Sequence, residues 1–446
     1  MSFFRRLRRA AEQGVREAIN LRGFPSSSGV IQSNEIQSGD VDVRRAVLMS
    51  PDRSKSHNLI QLVTRINIYE DILMPLVTAE LFVTDSSNFF EDYRLFEGHF
   101  ISIAIQTPGT NRMTDYEFRV RSLTDRIVMA NGKSIKYKIN LVSSELTPAL
   151  DSLVSQSYEQ EIHKSVTDII REKIGTGKRV IAEPTSGIDK FIVPNMPPFV
   201  AIDMLRLRAI DRLEQGNPTG GLWVFFENKN GFNFTTVQKL LKRGREAQRR
   251  SSDKVFYFDN SGNMRADRVS FRDILAYRQV ALFDMAVAQD SAMFSSTRFR
   301  FDRIKGMMNR IDFKSSERPN EIGTTTTTGY RRDRERSSGT ATLHIVDTSL
   351  PESFITEMVA ARASAAAQIA QNITLIEIYG DTDITVGDVI MCNFPELKDD
   401  TRDPQLSKLT TGNYLVSKIK HKISTGDRAR HLMTVELIKG ALIEGL

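Results

Sequence analysis

The sequence predicts an α+β chain, with two similar small β-barrels flanking an α/β insert and a basic amphipathic helix at the start. Three observations lead there. One β pattern occurs twice at a fixed spacing, the chain between the copies switches to helical periodicity, and the opening residues carry a one-sided apolar stripe.

The repeat runs from Glu117 to Ser143 and again from Asn413 to Lys439, without a gap, at a constant spacing of 296 residues (Phe118 against Tyr414). Phe118, Val120, Leu123, Ile127, Tyr137, Ile139 and Leu141 meet Tyr414, Val416, Ile419, Ile423, Met433, Val435 and Leu437. Each copy reads as a long hairpin, and Asn131-Gly132 marks the first turn. Upstream of each lies a glycine-led strand, GHFISIAIQ from Gly98 and GDVIMCNFP from Gly387. The spacing there is 289, so the second copy has a connection 7 residues longer. Two barrels per chain suit a ring builder, since three chains would present six similar units.

At 446 residues the chain has room for about three domains of ordinary size, and 40% hydrophobic against 26% charged residues is the balance of a globular protein. No run approaches the ~18 apolar residues of a membrane span, and the start lacks the apolar stretch of a secretory signal, so no export by this chain itself is expected. The lone Cys392 excludes an internal disulfide, fits a reducing compartment and reads as a small buried side chain. A net charge of +6 from 61 basic and 55 acidic residues is too thin an excess to select a nucleic-acid partner.

Residues 1–29 read as the basic helix and a linker. Phe3, Phe4, Leu7, Ala11 and Val15 fall on one stripe with the arginines largely elsewhere, a pattern suited to docking on a partner protein, to self-docking, to a membrane surface or to a frayed terminus. Residues 30–150 form the first expected barrel: Ile60, Leu62, Ile66 and Ile68 alternate, PLVTAELFV follows Pro75, SSNFFEDYRLF gives a short helix, and three strands complete it. Residues 151–270 form the insert. There Ile162, Val166, Ile169 and Ile170 lie along a helix stopped by Gly175, PPFVAIDMLRLRAIDRLE opens a second helix on prolines, and Trp223 to Thr235 is an aromatic hairpin around Asn-Lys-Asn-Gly. Residues 271–446 form the second barrel, with STRFRFDRIKGMMNRIDF as sheet and an alanine-rich helix from about Glu352 to Gln371. Within it, residues 317–338 (five threonines, then mixed charge) read as a long exposed loop. A helix is expected before each glycine-led strand.

No catalytic, cofactor-binding or metal-binding residues emerge. The six histidines fit no zinc spacing, although His421 and His431 lie on opposite arms of the last hairpin, where a structural cross-strand pair is expected. The segment IGTGKR at Ile174 to Arg179 lacks the phosphate-loop frame and reads as a helix-stop turn. Glu91, Asp92 and Glu97 sit in a connector, where solvated charge is the ordinary outcome.

The order barrel, α/β insert, barrel resembles the central baseplate hub proteins of contractile-tailed bacteriophages, which are related to the hub part of type VI secretion spike proteins. The similarity is carried by SVTDIIREKI, by VPNMPPFVAIDMLRLRAIDRLEQGNPTGGLWVFFENKNGFNF, and by AARASAAAQIAQ followed by VGDVIMCNF, and with the early barrel it covers most of Val30 to Leu446. It implies a non-enzymatic structural protein of the virion tail, assembled in the bacterial cytoplasm. It further implies a homotrimer whose barrels make a pseudo-sixfold ring between the hexameric tail tube protein and the threefold central spike protein, contacting other baseplate or tape-measure components. The N-terminal helix and residues 324–336 depart from the family pattern. No lysozyme-like or spike domain is appended, so wall digestion would fall to other chains. Two further readings stay open: the hub of a phage-like injection or secretion machine, and a cell-wall hydrolase on a barrel scaffold.

Overall fold

The computed structural model describes residues 37–446 apart from 88, 94–97, 109–112, 130–131, 212–220, 251–253, 259–271, 282–292, 303–304, 315–340, 347–352, 397–405, 408, 427 and 440–446. The predicted N-terminal helix and the loop at 317–338 lie outside the described residues.

The first unit contains β1 (Asp42–Met49), β2 (Ser56–Asn58), β3 (Val63–Asp71), β4 (Thr78–Asp85), β5 (Phe100–Gln106), β6 (Met113–Val128) and β7 (Ile135–Ser143), with α1 (Phe89–Tyr93) between β4 and β5. All its pairings are antiparallel, in the spatial order β3-β4-β7-β6-β5-β1-β2. Alternation explains the strands: Ala79, Leu81 and Val83 of β4 face the core with Ile66 and Ile68 of β3. Ile60 and Leu62, expected on the same strand face, instead precede β3 and are only partly buried. The expected two strands, short helix and three strands are present, preceded by β1 and β2, which the arginines of DVRRAVLM obscured.

The insert follows: α2 (Leu146–Asp151), β8 (Val154–Gln160), α3 (Ile162–Asp168), a π-helical turn (Ile169–Ile174), β9 (Val180–Ala182), β10 (Asp189–Met196), α4 (Pro198–Arg208), β11 (Trp223–Asn228), β12 (Gly231–Thr236) and α5 (Val237–Arg250). Val166, Ile169 and Ile170 are fully buried, and Gly175 ends the helix in the left-handed region, its N–H donating to the Ile170 carbonyl at 3.1 Å. Helix α4 stops at Arg208, earlier than its sequence suggests, because Ala209 turns extended and the buried Arg362 guanidinium donates to the carbonyls of Leu207 and Ala209. The aromatic hairpin β11–β12 forms as expected, with Trp223 stacked on Phe234.

The remainder is β13 (Val255–Tyr257), β14 (Ile274–Ala281), β15 (Ser295–Asp302), β16 (Met307–Lys314), β17 (Ala341–Val346), α6 (Ser353–Ala370), β18 (Ile373–Tyr379), β19 (Val389–Asn393), β20 (Gly412–Ser424) and β21 (Arg430–Ile438). Here two expectations fail. The hairpin β15–β16 joins β17 in a separate three-stranded sheet rather than the main one. Helix α6 precedes β18, not the glycine-led strand β19, and so does not correspond to α1.

The main sheet repeats itself in order. Strands β14-β18-β21-β20-β19-β13 mirror β3-β4-β7-β6-β5-β1, except that β13 is parallel to β19 where β1 is antiparallel to β5. Register repeats as well: Phe118 lies opposite Ile101, and Tyr414 opposite Ile390. Both long hairpins carry a β-bulge at the aligned place, between Val120 and Ser122 and between Val416 and Lys418. The leading glycines match too. Gly98 (φ +94°) donates to Val120 at 3.3 Å and Gly387 (φ +89°) to Val416 at 2.9 Å, while Val120 and Val416 donate back to His99 and Asp388 at 2.8 Å. Only the first copy has a second bulge, between Thr124 and Ile127, with Asp125 at φ +55°.

The two units are joined edge to edge. Past the end of β19, strand β20 pairs with β3 from Lys418 opposite Asp71 to Ser424 opposite Arg65. Ile423 thereby enters the core of the first unit. Among the described residues the ladders run as one open sheet from β14 to β2, and no ladder closes either expected barrel on itself.

Candidate assembly edge and the polar seam behind it

The joint between the units rests on a buried polar seam. Ile66, Ile68 and Glu70 share the inward phase of β3, so a carboxylate stands where alternation calls for an apolar residue. Its oxygens accept hydrogen bonds from the Tyr116 hydroxyl (2.8 Å), the Thr385 hydroxyl (2.6 Å) and the Val386 N–H (3.1 Å), linking β3, β6 and the loop before β19. Burial raises the pKa of Glu70 in spite of these donors. The tip of the aromatic hairpin reaches the same loop: Lys229 Nζ donates to the Thr382 carbonyl at 2.5 Å and Asn228 Nδ2 to the Val386 carbonyl at 3.1 Å.

A second cluster ties the first unit to the insert. Lys178 Nζ contacts Glu227 Oε1 at 2.5 Å, Glu145 Oε2 at 2.7 Å and Ser143 Oγ at 2.9 Å, and Glu227 Oε2 accepts from the Val77 N–H at 3.1 Å. Burial by itself would lower the Lys178 pKa, but Glu227 and Glu145 outweigh it and hold the ammonium above its usual value. Burial likewise opposes ionisation of Glu145, yet Lys178 and the neighbouring hydroxyls keep its pKa below the ordinary carboxylate value. For Glu227 burial wins and the pKa is raised. Lys178, Glu227, Lys229 and Tyr116 line a cleft of about 200 Å³. Lys178, Glu227 and Lys229 are bonded across module boundaries, so this side of the cleft behaves as a clamp. The segment resembling a phosphate loop thus supplies a helix stop and a clamp lysine.

His421 and His431 pair as expected across β20 and β21, with Nδ1 of one 3.1 Å from Nε2 of the other. Burial lowers both pKa values, that of His431 to about 3, so both rings are neutral near pH 7. Among the described residues no group of three or more His, Cys, Asp or Glu side chains is placed to hold a metal ion. Cys392 is buried on β19, and burial pushes its thiol pKa upward. Glu91 lies on α1 with Arg126 3.5 Å away at the surface. Phe3, Phe4, Leu7, Ala11 and Val15, the expected partner contacts, lie outside the described residues.

Two strand edges matter for assembly. Beyond Met113–Arg119, the stretch paired with β5, strand β6 continues to Val128 bonded only to β7 among the described strands, with Ile127 and Val128 each 58% exposed. Among the described strands β14 bonds β18 alone, and Val280 there is 44% exposed.

No protein-family model and no curated protein matches the sequence. Among solved structures, the tail protein from Neisseria meningitidis MC58 matches with a TM-score of 0.50 at 10% identity, over 89% of this chain and 97% of that one. The chain has the fold of a tail protein. The 43 kDa tail protein of prophage MuSo2 from Shewanella oneidensis is similar at a TM-score of 0.49 and 10% identity, covering 89% and 98% of the two chains. An Escherichia coli component of the type VI secretion system, itself described as similar to bacteriophage T4 tail proteins, matches at 0.41 and 10% identity over 90% and 76%. No helix among the described residues is long and apolar enough to cross a membrane.

Proposed function

We propose that this chain is the structural hub of a tail baseplate, a homotrimer whose six β units form a pseudo-sixfold collar between a hexameric tail tube protein and a threefold central spike protein. One observation carries the reading: the two units agree in strand order, bulge position and glycine-anchored hydrogen bonds, and they are joined edge to edge within the chain. Adjacent like units in one chain are what a threefold assembly needs to present near-sixfold symmetry to a hexameric partner. The polar seam then works as a brace, fixing the angle between units through Glu70 and the position of the insert through Lys178. The fold shared with a tail protein supports this reading over a cell-wall hydrolase. A hub of a phage-like injection or secretion machine has the same mechanics. In the virion reading the chain works in the tail baseplate after assembly in the bacterial cytoplasm, with Phe3, Phe4, Leu7, Ala11 and Val15 contacting a neighbouring tail or tape-measure component. The purified chain should have a solution mass of about three times 50.4 kDa. A stable monomer with hydrolytic activity would overturn the reading. Deletion of residues 1–22 should leave the trimer but abolish capture of the neighbour, and unchanged tail assembly would remove the helix from the proposal.

A further inference from the structure

We infer that the exposed end of β6, Ser122 to Val128, pairs antiparallel with the outer edge of β14, Ala276 to Ala281, of a second copy of this chain. This rests on the ring reading above and names the strands that close it. The template lies within the chain. On β20 the segment past the end of β19 takes β3 as its partner, through Lys418 to Ser424. At the 296-residue spacing that segment corresponds to Ser122–Val128, which likewise runs past the end of its neighbour β5 while staying bonded to β7. The receiving strand has its counterpart too, because β14 pairs with β18 as β3 pairs with β4. Thus one unit's donor segment and the other unit's receiving edge are occupied by each other, while the remaining donor and the remaining receiver lack a strand partner among the described residues.

The register follows from the same correspondence. Ile68 pairs Ala79 as Gln279 pairs Thr374, and His421, which faces Ile68, has Asp125 as its counterpart. Asp125 and Arg126, which share the β6 bulge, therefore come opposite Gln279 of the next copy; Thr124 faces Ala281 because Val280 is bulged on β14, and past the β6 bulge Ile127 and Val128 face Arg278 and Tyr277. Both edges expose apolar side chains (Ile127, Val128 and Val280) beside the charged Asp125, Arg126 and Arg278, so the pairing offers apolar cover at one end of the joint and opposite charges along it. The contact is heterologous, since a β6 edge meets a β14 edge, and such contacts give a closed ring when the rotation per copy closes. Strand addition of this kind supplies main-chain hydrogen bonds along the joint.

The test combines mutation and crosslinking on the full-length chain. Val128→Lys with Val280→Lys should convert a species of about three times 50.4 kDa to one of 50.4 kDa, with Trp223 fluorescence unchanged to show that the fold persists. Independently, Thr124→Cys combined with Ala281→Cys, or with Val280→Cys at the adjoining bulge, should give a denaturing-gel ladder at two and three times the chain mass after diamide oxidation. Each single-cysteine variant should not, as the native Cys392 is buried. A trimer that tolerates both lysines and gives no ladder would overturn the edge pairing while leaving the ring reading intact. A wild-type chain that is monomeric throughout would overturn both.

Discussion

Replacing Lys178 by alanine should expose how much the clamp holds. The change leaves Glu227, only 5% exposed, and Glu145 without their shared counter-ion, while the Val77 N–H and the Ser143 hydroxyl remain. Removing one partner of a fully buried ion pair costs roughly 3–5 kcal/mol, and since the Lys178 side chain keeps 30% of its exposure the expected loss is about 2–4 kcal/mol near pH 7. The loss should depend on pH with a definite sign. Glu227 already has a raised pKa, and without the ammonium it rises further. Such a group adds stability below its unfolded value of about 4.3, and that stability is lost as pH climbs through the folded value. Glu145 has a lowered pKa in the native protein and adds stability above its unfolded value; the variant forfeits that. Both effects make the penalty largest at neutral pH and smaller near pH ~4.5. Urea titration followed by Trp223, the one tryptophan of the chain and part of the insert core, reads it directly. The double change Lys178→Met with Glu227→Gln should recover most of the loss. A penalty below about 0.5 kcal/mol, or one that does not change with pH, would refute the clamp.

Two further outcomes follow from packing and titration. A Cβ at Gly380 would lie 2.0 Å from the His431 ring, so Gly380→Ala should destabilise by about 2 kcal/mol or more in thermal melts, and Gly380→Ala with His431→Ala should be milder than the sum of the two single changes. The lowered pKa values of His421 and His431 give stability that is present above their unfolded value of about 6.5 and lost as pH falls toward the folded values, so replacing both rings by leucine should flatten the stability profile between about pH 6.5 and 4.

The legible part of the fold was the part written in local periodicity. Alternation and a gapless repeat exposed both long hairpins, and the glycine-led strands followed because Gly98 and Gly387 mark positive-φ starts. The joint between β20 and β3 was not legible, since a strand's alternation says which face is buried and nothing about which edge finds which partner. Closed barrels were expected on that account, where the described ladders form one open sheet. Helix α5 was overlooked because only Val237, Leu240 and Leu241 form its apolar stripe amid a polar, arginine-rich run with Gly244 inside it. The seam did leave a trace: Glu70 breaks the inward phase set by Ile66 and Ile68, and a charge in that phase signals a buried bonded carboxylate. Its partners, Thr385 and Val386, lie more than 300 residues away and belong to tertiary structure alone.

End-on electron micrographs of the purified full-length chain test the duplicated-unit collar most directly. Averaged views should show six lobes of similar size on one ring under threefold symmetry, with the inserts as three additional features. Three lobes, or two units of each chain stacked at different heights, would contradict it.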